Sequence, residues 1–181
     1  MILFVNACVR SRSRTRRLAD RILSGMKGPV VERRLVDVSF PVVDEGFLER
    51  RDALIREGRF GDPSFELARE FASAEEIVIA APFWDLSFPA ALKQYFELVN
   101  VLGITFRYTP EGFPKGLCRA GRLTFVTTAG GSFFPVEYGF GYVKALAENF
   151  YGIGKVELVS AVGLDVYGAD EEGILRDAIL G

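Results

Sequence analysis

The sequence predicts a three-layer, doubly wound α/β sheet with five parallel strands in the order 2-1-3-4-5. Three observations carry that expectation. Short apolar runs alternate along the chain with segments whose apolar residues recur at helical spacing. The first and third runs are continuously hydrophobic, as strands buried on both faces are. That strand order would also set side by side the ends of strands one, three and four, which are the ends followed by ligand-holding residue types, at 10–15, 83–86 and 128–132.

Residues 2–5 (Ile-Leu-Phe-Val) read as the first strand. A hydroxyl- and arginine-rich segment, 10–17, then leads into a helix whose face is marked by Leu18, Ile22 and Leu23. Gly28-Pro29 ends it, and residues 30–36 read as a second strand near an edge. Residues 37–62, rich in proline, glycine and charge, form a surface excursion with a helical stretch at 48–57. A helix at 64–73 precedes the central strand, 77–81, which stops at Pro82 for want of an N–H. The next helix opens at Pro89, a residue preset for a first helical turn, and runs to about Leu102. Residues 103–109 are β-prone and precede Pro110-Glu111-Gly112, so they form a strand-like excursion. The fourth core strand is 123–127, followed by a helix at 138–150, a strand at 156–162 and a last helix at 171–180.

A chain of 181 residues suits a single domain. Lys and Arg number 22 and Asp and Glu 24, which argues against a general nucleic-acid binder. No run of 18 apolar residues exists to span a membrane, and residues 1–5 are too short and lack the basic leader of a signal peptide. Two cysteines in a chain of this size point to a reducing compartment, with cytoplasm the expected location. The chain has no histidine. That removes Ser-His-Asp and Cys-His nucleophile systems and histidine-based zinc sites, and no metal site is expected. If the protein is an enzyme, the reactive chemistry belongs on a bound cofactor that the chain positions.

Arginines at a helix N-terminus conflict with the partial positive charge there, and an anion would relieve the conflict. Backbone N–H groups, the hydroxyls of Ser11, Ser13 and Thr15, and the Arg14 guanidinium would together cradle a phosphate. Alternatively these arginines point into water or touch nucleic acid. After the central strand, Pro82, Phe83, Trp84, Asp85 and Leu86 would line the crevice with free backbone N–H groups between them, suiting a flat, partly polar ring; equally, the aromatics pack the strand–helix junction. Beyond the fourth strand, Thr128, Ala129, Gly130 and Gly131 would allow close backbone approach, or form an ordinary glycine turn. A phosphate loop and two ring-holding loops fit flavin mononucleotide (FMN) better than a dinucleotide, because no Gly-x-Gly-x-x-Gly follows the first strand.

These residues resemble the family of FMN-dependent NADH-azoreductases and NAD(P)H:quinone oxidoreductases, of flavodoxin-like fold. The similarity covers most of the chain and is strongest in Ala-Ala-Pro-Phe-Trp-Asp-Leu from Ala80, Pro-Ala-Ala-Leu-Lys-Gln-Tyr-Phe-Glu from Pro89 and Gly-Ile-Thr-Phe-Arg-Tyr-Thr from Gly103, joined by Thr-Thr-Ala-Gly-Gly from Thr127. The resemblance implies that Ser13, Arg14 and Thr15 hold the FMN phosphate, that Phe83–Leu86 run along the isoalloxazine with N–H groups near its N5 and O4 edge, and that Thr128–Gly131 meet the pyrimidine end. It implies a homodimer with active sites at the interface, where Tyr108 would help form the substrate-facing wall. NADH or NADPH would be the donor and a quinone or azo compound the acceptor, through ping-pong hydride transfer at flavin N5.

Some positions depart from the family's pattern. Relatives often carry Asn where Asp85 stands and Arg where Ala129 stands, the histidine of mammalian-type quinone reductases is absent, and the chain is shorter between Val36 and Phe65. Asp85 near the ring would disfavour an anionic reduced flavin and lower its potential. An FMN-binding electron carrier of the flavodoxin type is the rival reading, although such carriers are strongly acidic. A response-regulator receiver shares the strand order but needs an acidic pair where this chain has Asn6-Ala7-Cys8. Cys8, near the anion loop, reads either as a low-pKa thiol or as a buried structural one, and neither it nor Cys118 is given a role.

Overall fold

A computed structural model describes residues 1–180. Its main sheet is built from β1 (Ile2–Asn6), β2 (Val30–Arg34), β3 (Glu76–Ala80), β6 (Arg122–Thr128) and β7 (Lys155–Ala161), all parallel, in the order β2-β1-β3-β6-β7. Between β3 and β6 stands a separate antiparallel hairpin, β4 (Phe106–Tyr108) with β5 (Pro114–Gly116). The helices are α1 (Arg14–Ser24), α2 (Glu45–Arg56), α3 (Glu66–Ser73), α4 (Ala90–Val99), α5 (Phe140–Leu146) and α6 (Glu171–Leu180). This is the flavodoxin-like arrangement expected from the sequence.

Side chains of a strand alternate between the faces of a sheet, and the core divides accordingly. Leu3, Val5, Ile77, Ile79, Leu123 and Phe125 pack with Phe71 of α3, Leu92, Tyr95 and Phe96 of α4, and Val143 of α5. Ile2, Phe4, Val78, Ala80 and Val126 face the other way, onto Leu18 and Ala19 of α1 and Leu175 of α6. The register Val5–Ile79–Phe125 crosses the three central strands, where every residue but Glu76 and Arg122 is buried. Burying a Leu, Ile or Phe fully is worth roughly 1.5–3 kcal/mol, so these two layers are the main source of stability.

Where structure and expectation differ, local packing accounts for it. The second strand stops at Arg34 because Leu35–Asp37 turns into a 3-10 helix that buries Leu35. Helix α2 starts at Glu45 because the Asp44 carboxylate accepts the Phe47 N–H at 2.7 Å. The helix expected at 138–150 is α5 followed by a π turn, Ala147–Tyr151, which left-handed Gly152 (φ 76°) ends. The hairpin seats on that turn through Gly116: a Cβ there would come within 2.1 Å of the Tyr151 carbonyl carbon. Phe106 stacks edge-on to Phe150 at 4.9 Å, completing the contact.

Candidate functional site

The loops after β1, β3 and β6 meet at one end of the sheet, and Thr128 joins them. Its hydroxyl lies 2.6 Å from that of Thr15 at the start of α1, and its carbonyl accepts the Phe83 N–H at 3.0 Å. Around this junction is a cleft of about 230 Å³ lined by Val9, Arg10, Arg12, Ser13, Arg14, Thr15, Pro82, Phe83, Trp84, Thr128, Gly130 and Asp165. A larger cavity of about 400 Å³ lies between α2 and the end of α4, against Phe47, Leu54, Phe65, Leu98 and Val101. It lies under α2, a helix with no buried residue, and lacks the converging strand ends that the smaller cleft has. Chemistry, rather than size, selects the cleft.

Its first wall is an anion site. Ser13 caps α1, its hydroxyl oxygen accepting the Arg16 N–H at 3.2 Å, while its own N–H donates to the Arg10 carbonyl. The N–H groups of Ser11, Arg12, Arg14 and Thr15 have no acceptor among the described residues. Four unspent donors at the N-terminus of an 11-residue helix suit a negative charge. The arginines divide into two sets. Arg14 pairs with Asp165, Arg16 with Asp20 and Glu32, and Arg17 with Glu171 and Glu172. Internal carboxylates, all but Asp20 from outside α1, thus relieve most of the charge conflict that the sequence assigns to an external anion. Arg10 and Arg12 have no carboxylate partner among the described residues, and both line the cleft.

The second wall is aromatic. Phe83 stacks edge-on to Phe134 at 4.9 Å, and Trp84 is 38% exposed. Two of the N–H groups expected to be free are spent: that of Phe83 on Thr128, and that of Trp84 on the Ser87 carbonyl at 3.2 Å. Ser87 donates back to the Trp84 carbonyl at 2.7 Å, closing a two-residue turn over Asp85 (φ 50°) and Leu86 (φ 65°). Such a turn requires positive φ at both central residues, and glycine or asparagine usually fills it. Here Leu86 bears the strain, and the Asp85 and Leu86 N–H groups stay unspent among the described residues. The Ser87 hydroxyl donates to the Tyr138 carbonyl at 3.1 Å, tying this turn to the loop after β6.

The third wall is the loop after β6. Ala129 is buried, with its N–H on the Ala161 carbonyl. Gly130 lies against Asp165, so a Cβ there would fall 1.9 Å from the Asp165 Oδ2. At Gly131 a Cβ would meet nothing within 4 Å.

Of the sequence candidates, Ser13, Arg14, Thr15, Pro82, Phe83, Trp84, Thr128 and Gly130 therefore line one cleft. Ser11, Asp85, Leu86, Ala129 and Gly131 flank it in the same three loops without lining it. Tyr108 does not reach it: its hairpin packs on the π turn after α5, once that helix has run back to the opposite end of the sheet. Sequence reasoning misses Asp165, and no local signal marks it, since its partner Arg14 lies 151 residues away. It also misses Phe134, though that ring stands just beyond the Gly-Gly pair. Cys8 resolves to the structural reading: it is buried, and burial raises its pKa. Burial pushes the Cys118 thiol up to about 12.

Parallel topology, ligand-type residues at neighbouring strand ends and a helix N-terminus free to take an anion define a flavodoxin-like protein. A family profile described as flavodoxin-like fold matches residues 1–179. An FMN-dependent NADH:quinone oxidoreductase from Clostridium beijerinckii is 32% identical over 181 residues, covering 96% of this chain and 90% of its own. The crystal structure of an azoreductase from Bacillus anthracis superposes with a TM-score of 0.83 at 26% identity, over 99% of this chain and 94% of its own. An FMN-dependent NADH-azoreductase from the same species, crystallised in complex with FMN, gives 0.80 at 25%, over 98% and 92%. The chain belongs to the family of FMN-dependent NADH:quinone oxidoreductases and is an oxidoreductase.

Proposed function

We propose that this protein binds FMN in the cleft beside Thr128 and oxidises NADH or NADPH at the expense of quinone-like or azo acceptors. The observation that carries the reading is the junction at Thr128, which brings an anion-ready helix start and an aromatic turn to one cavity. When bound, FMN would supply the two-electron chemistry, accepting hydride at N5 from the nicotinamide and passing it to the acceptor in a ping-pong cycle.

The chain's own residues bind and orient. The unspent N–H groups of Ser11, Arg12, Arg14 and Thr15, with the Arg10 and Arg12 guanidiniums, would hold the phosphate. Phe83 and Trp84 would border the ring, and the Asp85 and Leu86 N–H groups would offer donors to its polar edge. No histidine exists to move a proton, so water or a tyrosine would supply one.

At about 230 Å³ the cleft is smaller than the roughly 300–1,000 Å³ that whole small-molecule sites occupy. A ligand of FMN's size would project past it, over exposed Trp84 and Leu86 and toward exposed Phe133 and Tyr138. A second copy would cover that apolar rim and is the only source from which Tyr108, 54% exposed, could approach. The proposal is therefore a homodimer of one-domain chains. Its setting is the cytoplasm, where the two free cysteines would stay reduced. No helix among the described residues is long and apolar enough to cross a membrane.

Adding FMN to the purified protein should give a bound flavin spectrum. NADH or NADPH should then bleach it without oxygen, and a quinone or azo dye should restore it. If the protein rejects FMN, the reading fails. If FMN binds but neither nicotinamide reduces it, the protein is a carrier.

A further inference from the structure

One carboxylate stands where the cleft gathers its positive charge. Both Asp165 oxygens accept from Arg14, at 2.7 Å from Nη1 and 3.2 Å from Nη2, so the guanidinium fork is filled by an internal anion. The backbone holds the carboxylate there: the Asp165 N–H donates to the Gly130 carbonyl at 2.8 Å, and only glycine at 130 leaves it room. Arg14 also reaches the Leu164 carbonyl at 3.4 Å and lies 3.7 Å from Glu171. Meanwhile the N–H groups of Ser11, Arg12, Arg14 and Thr15 lack acceptors, and Arg10 and Arg12 lack carboxylates, among the described residues. The anion loop is thus poised except at Arg14, whose fork is already engaged while those of Arg10 and Arg12 are not.

We propose that Asp165 is an internal stand-in for phosphate: it holds the Arg14 fork in the cofactor-free protein and competes with the FMN phosphate for it. Carboxylate and phosphate both match the planar fork, and the two anions repel when brought together. Asp165 thereby sets the affinity for the phosphate-bearing flavin without touching the ring. Its side chain is 66% exposed, so solvent screening keeps the competition modest, in the range of exposed ion pairs. The inference rests on the FMN reading and adds a regulator of cofactor exchange to that site.

The test is Asp165→Asn, which keeps the shape of the side chain and removes its charge, with Asp165→Ala as a second variant. Apoprotein is titrated with FMN, with riboflavin, which lacks the phosphate, and with inorganic phosphate. The expected result is FMN bound about fivefold tighter, phosphate tighter by a similar factor and riboflavin unchanged. In an Arg14→Gln background the gain should vanish. FMN affinity that is unchanged or weaker, a parallel shift in riboflavin, or a gain that survives Arg14→Gln would each overturn the proposal. A wild-type protein that binds neither flavin, with an Asp165→Asn variant that still binds phosphate more tightly, would sink the FMN reading and leave the anion competition standing.

Discussion

Tyr95 is fully buried, and its hydroxyl has no hydrogen-bond partner among the described residues. Burial pushes its pKa far above the usual tyrosine value, so it does no acid–base work near neutral pH. Leaving a buried hydroxyl unpaired costs about 1–3 kcal/mol. Tyr95→Phe should therefore stabilise the protein by about 1 kcal/mol in urea denaturation, and a loss of stability would mean that the hydroxyl has a partner. At Asp85, exposed beside the proposed ring site, Asp85→Asn should raise the bound flavin's midpoint potential in a spectroelectrochemical titration. At this scale the sequence was legible wherever a side chain's neighbours are local. That one of Ser11, Ser13 and Thr15 caps α1 could be read from the helical spacing of Leu18, Ile22 and Leu23 just beyond them, and the structure selects Ser13. The Arg14–Asp165 pair could not, because nothing near either residue announces a partner 151 positions away.

At the scale of elements, the turn over Asp85 and Leu86 stores strain beside the cleft. A non-glycine residue in the left-handed region costs of order 1–3 kcal/mol. Leu86→Gly should raise stability by about 1 kcal/mol in thermal melts while lowering turnover, because it also removes an exposed apolar side chain from the rim. Helix α1 is joined by charge to α6, where Glu172 meets Arg21 and Arg17, and to the loop before it, where Asp165 meets Arg14. These arginines hold both carboxyls below their ordinary values of 4.5 and 3.8. A depressed folded pKa means that the stabilisation is complete above those values and is lost as pH falls through the lower, folded ones. Amide exchange in α6 should therefore stay slow at about pH 6, after correction for intrinsic rates, and rise toward about pH 3. An Arg17→Gln/Arg21→Gln variant should flatten that difference. The core strands came within a residue or two of their observed ends because apolar runs mark them. The hairpin and the π turn did not, because Gly116 and Tyr151 fix them through a tertiary contact.

For the whole molecule, alternation of strands and helices pointed to a parallel doubly wound sheet. The observed order, the one expected because it gathers the ligand-type loops, brings all three to one end. What the alternation does not encode is which face a second copy would cover. The proposed dimer predicts twice the chain mass in analytical ultracentrifugation, and Tyr138→Glu on the exposed rim should shift it toward monomer.

The bare Cα of Gly116 has a consequence for that assembly. Any larger residue there would lift the β4–β5 ribbon off the Tyr151 backbone, and Tyr108 would travel with it. If the proposed dimer sets Tyr108 beside the partner's cleft, a methyl group added at this distant glycine would act as a wedge, felt across the boundary between subunits as a misplaced phenol.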